Sequence, residues 1–241
     1  MILRTCVCLL ALFAAAGRAG AQPPGTPAAP ANVPTPSDVK PGSINHEDVP
    51  YPHPVSYLSF TIYGQDVRMA YMDVPPAAQP NGRTVVLLHG MNFAGFYWAG
   101  PIEVLRKEGF RVVVTDQIGF GRSSKPIVPY NFHDMALNTK RVLDHLGIAK
   151  AAIVGDSMVY TDPVVYDWAH ITSKALVIGG EKDGPDFPKL ARHVADTIPG
   201  AQLVLVPNAG HVLHFETPEI FNRELVKFLK ADAPTRSQAG K

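Results

Sequence analysis

The 241-residue sequence predicts an α/β fold: a mostly parallel sheet with helices on both faces and an antiparallel hairpin leading into it. Two observations carry that prediction. Short, continuously apolar runs such as TVVLL at 84–88, RVVVT at 111–115 and LVLV at 203–206 read as strands buried on both faces. Between them lie segments with apolar residues at helical spacing, and strands alternating with helices make a parallel sheet with right-handed crossovers.

The elements follow in order. Residues 56–63 and 67–74 alternate apolar and polar side chains around Gly64-Gln65-Asp66, the pattern of a hairpin. A buried strand at 84–88 precedes a helix at 96–108 that stops at Gly109, and a second buried strand covers 111–115. An amphipathic helix at 132–146 ends at Gly147 and leads to a strand at 151–154. Strands at 175–178 and 203–206 flank a helix at 188–198. Thr217 caps a last helix with Pro218 at its first position, running to about Lys230. No internal repeat is visible.

Composition narrows the function. Twenty-two basic residues stand against 21 acidic ones, so no cationic excess exists to hold a phosphate backbone, and nucleic-acid binding is a poor reading. Both cysteines, Cys6 and Cys8, lie in the first ten residues, which excludes a disulfide scaffold. That N-terminus reads as an export signal: Arg4, an apolar run at 7–16 too short to span a bilayer, then Ala19-Gly20-Ala21 as a cleavage site. The expected division is a signal peptide at 1–21, a Pro-rich linker at 22–54, the α/β domain at 55–232 and a tail at 233–241. Ten of the 23 prolines fall in 22–54, with few large apolar residues, so an extended linker is expected there. Periplasmic or secreted location follows, with no membrane attachment after cleavage.

Three motifs stand at strand ends. Gly155-Asp156-Ser157-Met158 follows the strand at 151–154, Gly179-Gly180-Glu181-Lys182-Asp183 the strand at 175–178, and Gly210-His211 the strand at 203–206. Serine, aspartate and histidine in that chain order, each in a loop after a buried strand, fit nucleophilic catalysis. A serine hydroxyl is a weak nucleophile, so it needs a base to take its proton, and that base needs a partner that fixes its tautomer.

The chain resembles the α/β-hydrolase superfamily, in its single-domain esterase, epoxide-hydrolase and peptidase-like branches. The resemblance covers about residues 55–230. It rests on His89-Gly90, on Asp116-x-x-Gly119-x-Gly121-x-Ser123, on the Ser157 turn, and on Gly210-His211-x-x-His214-x-Glu216-x-Pro218. It implies Ser157 as nucleophile, His211 as general base and acid, and Asp183 as the carboxylate orienting His211. It also implies the backbone N–H groups of Met91 and Met158 as the oxyanion donors. Serine in place of aspartate at the nucleophile points away from epoxide-hydrolase chemistry, which runs through an alkyl-enzyme ester, and toward an acyl-enzyme. The expected substrate is a small ester, with an amide or peptide bond as the alternative, and no cofactor is implied. His211 and His214 lack a third ligand or a His-Glu-x-x-His frame, so no metal is expected. His89 and Asp116 read as structural, Asp186 as a lesser rival to Asp183, and Gly119-x-Gly121 lacks the rest of a dinucleotide fingerprint. Phe93, Phe96, Tyr97 and Trp98 read either as an apolar acyl site or as core.

The sequence also departs from the family. Val159 stands where the tight turn after the nucleophile usually has a small residue. Only residues 159–174 separate Met158 from the next strand, where relatives place a helix, a further strand and a lid. Losing that helix removes apolar burial comparable with the net stability of an ordinary domain. Two outcomes are open: a sheet that closes across the deletion, or a catalytically impaired relative with a binding role or none. A homo-oligomer hiding the uncovered sheet face would compensate for the loss.

Overall fold

The computed structural model describes residues 42–156 and 168–231. Ser157, Met158 and Val159 lie outside the described residues, as do the proposed signal and the end of the chain.

Among the described residues seven strands form, each where an apolar or alternating run stands in the sequence. β1 (Ser56–Ile62) and β2 (Gln65–Val74) make the antiparallel hairpin, turning through Tyr63 and Gly64, both at positive φ (46° and 74°). β3 (Thr84–Leu88), β4 (Arg111–Thr115) and β5 (Ala152–Gly155) are parallel to one another, while β2 runs antiparallel to β4. The resulting five-stranded sheet has the order β1-β2-β4-β3-β5. β6 (Leu176–Gly180) and β7 (Gln202–Val206) pair in parallel as a separate two-stranded sheet.

That division answers one open question of the sequence. Among the described residues the sheet does not close across the deletion, because no ladder joins β5 to β6.

Helices cover both faces of the larger sheet. α1 (Ala99–Lys107) follows a 3₁₀ turn at Gly95–Trp98, so the segment expected as one helix is two pieces. With α5 (Pro218–Ala231), α1 covers the face carrying Val85, Leu87, Val112 and Val114, and Ile102, Leu105, Leu225 and Leu229 pack into it. α2 (Phe132–His145) covers the opposite face, where Val142 meets Val67, Met69, Val86 and Val113. The Asn131 side chain caps α2 by accepting the Asp134 N–H at 2.9 Å.

The α2 layer stops short of β5. Ile153 sits opposite Val86 on the same face, yet Val86 is fully buried and Ile153 is 55% exposed. α3 (Phe187–Thr197) packs on β6 and β7 without a fully buried residue. What joins the small sheet to the large one is the core between α1 and α5, to which Val204, Val206, Ala209 and Leu213 contribute. A short helix, α4 (Leu213–Glu216), precedes α5 and has no signal in the apolar pattern.

The segment 42–54 lies against the domain. Tyr51 donates its hydroxyl proton to Asp116 at 2.6 Å, and His53 meets Glu103 at 2.8 Å. The Arg122 guanidinium donates to the carbonyls of His46 and Val49 and stacks on the Tyr51 ring.

Candidate active site

Parallel strands end on one edge, and the loops beyond those ends carry the chemistry. β6 and β7 bring two loops together by backbone bonds that continue past their ladder. Glu181 N–H donates to Val206 O at 3.0 Å, and Lys182 N–H to Ala209 O at 2.8 Å. The turn bearing Asp183 is thereby tied along the chain that leads into His211.

The result is a short contact between the two predicted partners. His211 Nδ1 lies 2.8 Å from Asp183 Oδ2. A carboxylate oxygen only accepts, so the ring proton sits on Nδ1 and the lone pair on Nε2. Nε2 has no partner among the described residues, and the imidazole side chain is 39% exposed while the Asp183 side chain is 16% exposed. Phe187 holds the ring edge-on at 5.0 Å. Asp186, the lesser candidate, is an exposed residue whose side chain stands 3.6 Å from Lys189, away from this pair.

Glu216 fixes the loop that presents His211. Its two carboxylate oxygens accept the N–H groups of Gly210 (2.7 Å) and Val212 (2.9 Å), one on each side of the histidine. Those two backbone bonds hold its carboxyl below the usual range. The resemblance includes Glu216 in its motif, but spacing alone gives no hint that it clamps the histidine's neighbours.

The turn after β3 carries the first predicted oxyanion donor. Phe93 N–H donates to Gly90 O at 3.2 Å, with Asn92 at φ 68°, so residues 90–93 form a turn that needs a left-handed third residue. Gln117 N–H donates to His89 Nε2 at 2.9 Å, which leaves Nδ1–H to donate to Gly90 O at 2.8 Å. In a trans peptide the carbonyl and the following N–H point opposite ways. Two donors therefore hold the Gly90 carbonyl and so aim the Met91 N–H, which has no partner among the described residues. His89 is a structural residue, 1% exposed, with both ring nitrogens committed.

Asp116 is likewise structural. Its carboxylate accepts from Gly95 N–H (2.6 Å), Arg122 N–H (2.7 Å) and Tyr51 (2.6 Å), bracing three segments from a site 1% exposed. Ser123 bridges the same loop, donating to Asp116 O and accepting from Ala70 N–H. Gly121, at φ 49°, is required there, since a Cβ would come within 2.2 Å of the Asp116 carboxylate.

Of the four aromatics after the oxyanion turn, Tyr97 (3% exposed) and Trp98 (1%) are core residues, and Phe93 and Phe96 pack against that core. His214 is also buried, stacked on Trp98 at 4.5 Å and edge-on to Tyr97 at 4.6 Å.

Both buried histidines favour the neutral ring. Desolvation lowers the affinity of His89 for a proton against weaker opposition from Gly90 O, Asp116 and Asp156. Desolvation does the same to His214 against Asp156. A depressed native value means that the unfolded chain binds more protons below about pH 6.5. Stability contributed by neutral His89 and His214 is therefore full above that pH and declines as pH falls through it. Urea unfolding at pH 7.5, 6.5 and 5.5 should show stability falling as the pH drops below about 6.5. A stability flat across this range would contradict their burial as neutral rings.

Comparison with known proteins agrees with this architecture. Residues 83–158 match the family model described as the alpha/beta hydrolase fold. Epoxide hydrolase B of Mycobacterium tuberculosis is 37% identical over 112 residues, 46% of this chain and 31% of the relative. Epoxide hydrolase A of the same organism is 26% identical over 166 residues, 66% of this chain and 49% of the relative. The chain thus spans less than half the length of these curated relatives. A probable hydrolytic enzyme from Pseudomonas aeruginosa PAO1 superposes with a TM-score of 0.73 at 26% identity, covering 77% of this chain and 97% of the other. The β1-β2-β4-β3-β5 sheet, the helices on both its faces, the matched family model and the superposed structure identify the fold as that of the α/β-hydrolase superfamily.

Proposed function

We propose that this protein is a serine hydrolase that cleaves small carboxylic esters through an acyl-enzyme. Ser157 is the nucleophile, His211 the base, Asp183 its orienting partner, and the N–H groups of Met91 and Met158 the oxyanion donors. The observation that carries the reading is the 2.8 Å contact between His211 Nδ1 and Asp183 Oδ2. It gives Nε2 the lone pair that a serine needs.

The steps follow from that tautomer. Nε2 takes the hydroxyl proton as Oγ attacks the carbonyl carbon, and the charge moves to the carbonyl oxygen. As the tetrahedral species collapses, the imidazolium returns the proton to the departing alkoxide, leaving the acyl group on Ser157. Water, deprotonated by the same nitrogen, then releases the acid. The epoxide hydrolases among the relatives lend the hydrolase reading general support. Ser157 favours an acyl-enzyme over the alkyl-enzyme route that the family resemblance associates with an aspartate nucleophile. An amide bond is the alternative substrate on the same groups. The leader at 1–21 supports export, and with it a periplasmic or secreted setting.

A second reading draws on the division of the sheet between β5 and β6. It holds the chain to be a folded relative without turnover, retained for binding or for none. Hydrolysis of short p-nitrophenyl esters by the mature chain, beside Ser157→Ala, separates the two. Turnover that vanishes in the variant is expected. A wild-type rate equal to that of Ser157→Ala would leave only the second reading.

A further inference from the structure

Tyr97 lies at the junction of three loops that the proposed reaction uses. It is 3% exposed, and its ring is held by Phe93 (4.9 Å, stacked), Trp98 (4.8 Å, edge-on) and His214 (4.6 Å, edge-on). Two of those neighbours belong to the segment after the oxyanion turn. The third, His214, comes three residues after His211. A ring so confined places its hydroxyl at one point.

That hydroxyl makes two hydrogen bonds of opposite sense. It accepts the Gly90 N–H at 2.9 Å and donates to Asp156 Oδ2 at 3.1 Å. Gly90 begins the turn that aims the Met91 N–H. Asp156 immediately precedes Ser157, and its own N–H continues the ladder to Leu88 O at 3.2 Å. The Asp156 carboxylate also lies so close to Gly90 that a Cβ there would come within 3.3 Å of it. β3 and β5 set the spacing of their backbones, and beyond the ladder the Tyr97 hydroxyl adds a side-chain link between the two loops.

We propose that Tyr97 is a positioning residue whose hydroxyl fastens the turn at Gly90 to Asp156, the residue before the proposed nucleophile, and so holds the Met91 N–H in place. This rests on the serine-hydrolase reading for its catalytic consequence, and on the geometry of Gly90 and Asp156 for its structural one. Oxyanion stabilisation requires donors already in place when charge develops, so loosening this fastening acts on the transition state more than on substrate binding.

Tyr97→Phe keeps the stacked ring and removes only the hydroxyl. Asp156→Ala removes the other end of the link, and the double variant tests whether the two act as one. With a p-nitrophenyl ester, kcat should fall about 10- to 100-fold in each single variant, with KM within about threefold of wild type. The double variant should lose no more than the worse single one. In parallel, amide exchange at Gly90, followed by NMR on uniformly ¹⁵N-labelled protein, should accelerate at least about tenfold in Tyr97→Phe. A Tyr97→Phe kcat within about threefold of wild type, multiplicative losses in the double variant, or unchanged Gly90 exchange would overturn the proposal. If wild type turns over no faster than Ser157→Ala, the hydrolase reading falls, and Gly90 exchange alone decides whether Tyr97 holds the turn.

Discussion

Asp183→Asn is expected to lower kcat for ester hydrolysis by about 10⁴-fold, with little change in KM or in the unfolding midpoint. The carboxylate accepts the Nδ1 proton of His211 at 2.8 Å. A carboxamide can turn its NH₂ toward the ring instead, which favours the tautomer with the proton on Nε2. That tautomer has no lone pair facing a serine. The side chains match in size, and Asp183 is at the surface end of β6, so folding should be little affected. His211→Ala should cost about as much as Asp183→Asn and His211→Ala combined, since groups that act as a unit do not contribute additively. Steady-state kinetics of the two single variants and the double variant check both statements. A loss below about tenfold in Asp183→Asn would mean that His211 gets its orientation elsewhere.

Gly180→Ala should damage stability and activity together. Gly180 is the last residue of β6, and an added Cβ would meet Gly210 O at 2.1 Å and Ala209 O at 2.4 Å. Both obstacles are backbone, so no side chain can rotate away. The loop carrying His211 must retreat from the turn carrying Asp183, or β6 must shift out of register with β7. A forced shift of this kind costs about 1–3 kcal/mol, which lowers the midpoint of a domain this size by about 2–4 °C per kcal/mol. Activity should fall further than the loss of folded protein explains, because the His211–Asp183 contact lengthens. Calorimetry beside kcat measured well below the midpoint separates the two effects. A variant with wild-type kcat and midpoint would show that the loops of β6 and β7 do not pack as described.

The contrast between these two residues shows what the sequence carried. Asp183 and His211 were identifiable because each follows a continuous apolar run, and such runs become parallel strands whose ends converge. β3 and β4 keep the bounds of TVVLL and RVVVT for the same reason. Gly180 was unremarkable, since its need to be glycine comes from carbonyls of another strand's loop. Tyr97 and Glu216 are similar cases. An aromatic after an oxyanion turn and a glutamate before a proline have many uses, and only the positions of Gly90, Asp156, Gly210 and Val212 assign theirs. The division of the sheet was half legible: the short connection at 159–174 announced a missing piece, but whether β6 would slide over to β5 depends on packing. The core between α1 and α5 already fixes β7, through Val204 and Val206, and β6 stays with its partner.

The uncovered face at Ile153 belongs to β5, the strand that leads to the proposed nucleophile.

Activation of Ser157 by His211 can be read from treatment of the folded protein with a fluorophosphonate, followed by intact-mass analysis and peptide mapping, with His211→Ala alongside. One stoichiometric adduct is expected, on Ser157, formed by wild type and slowed at least about 10³-fold in the variant. A wild-type chain that stays unmodified, or that is labelled at the same rate with and without the imidazole, would contradict it.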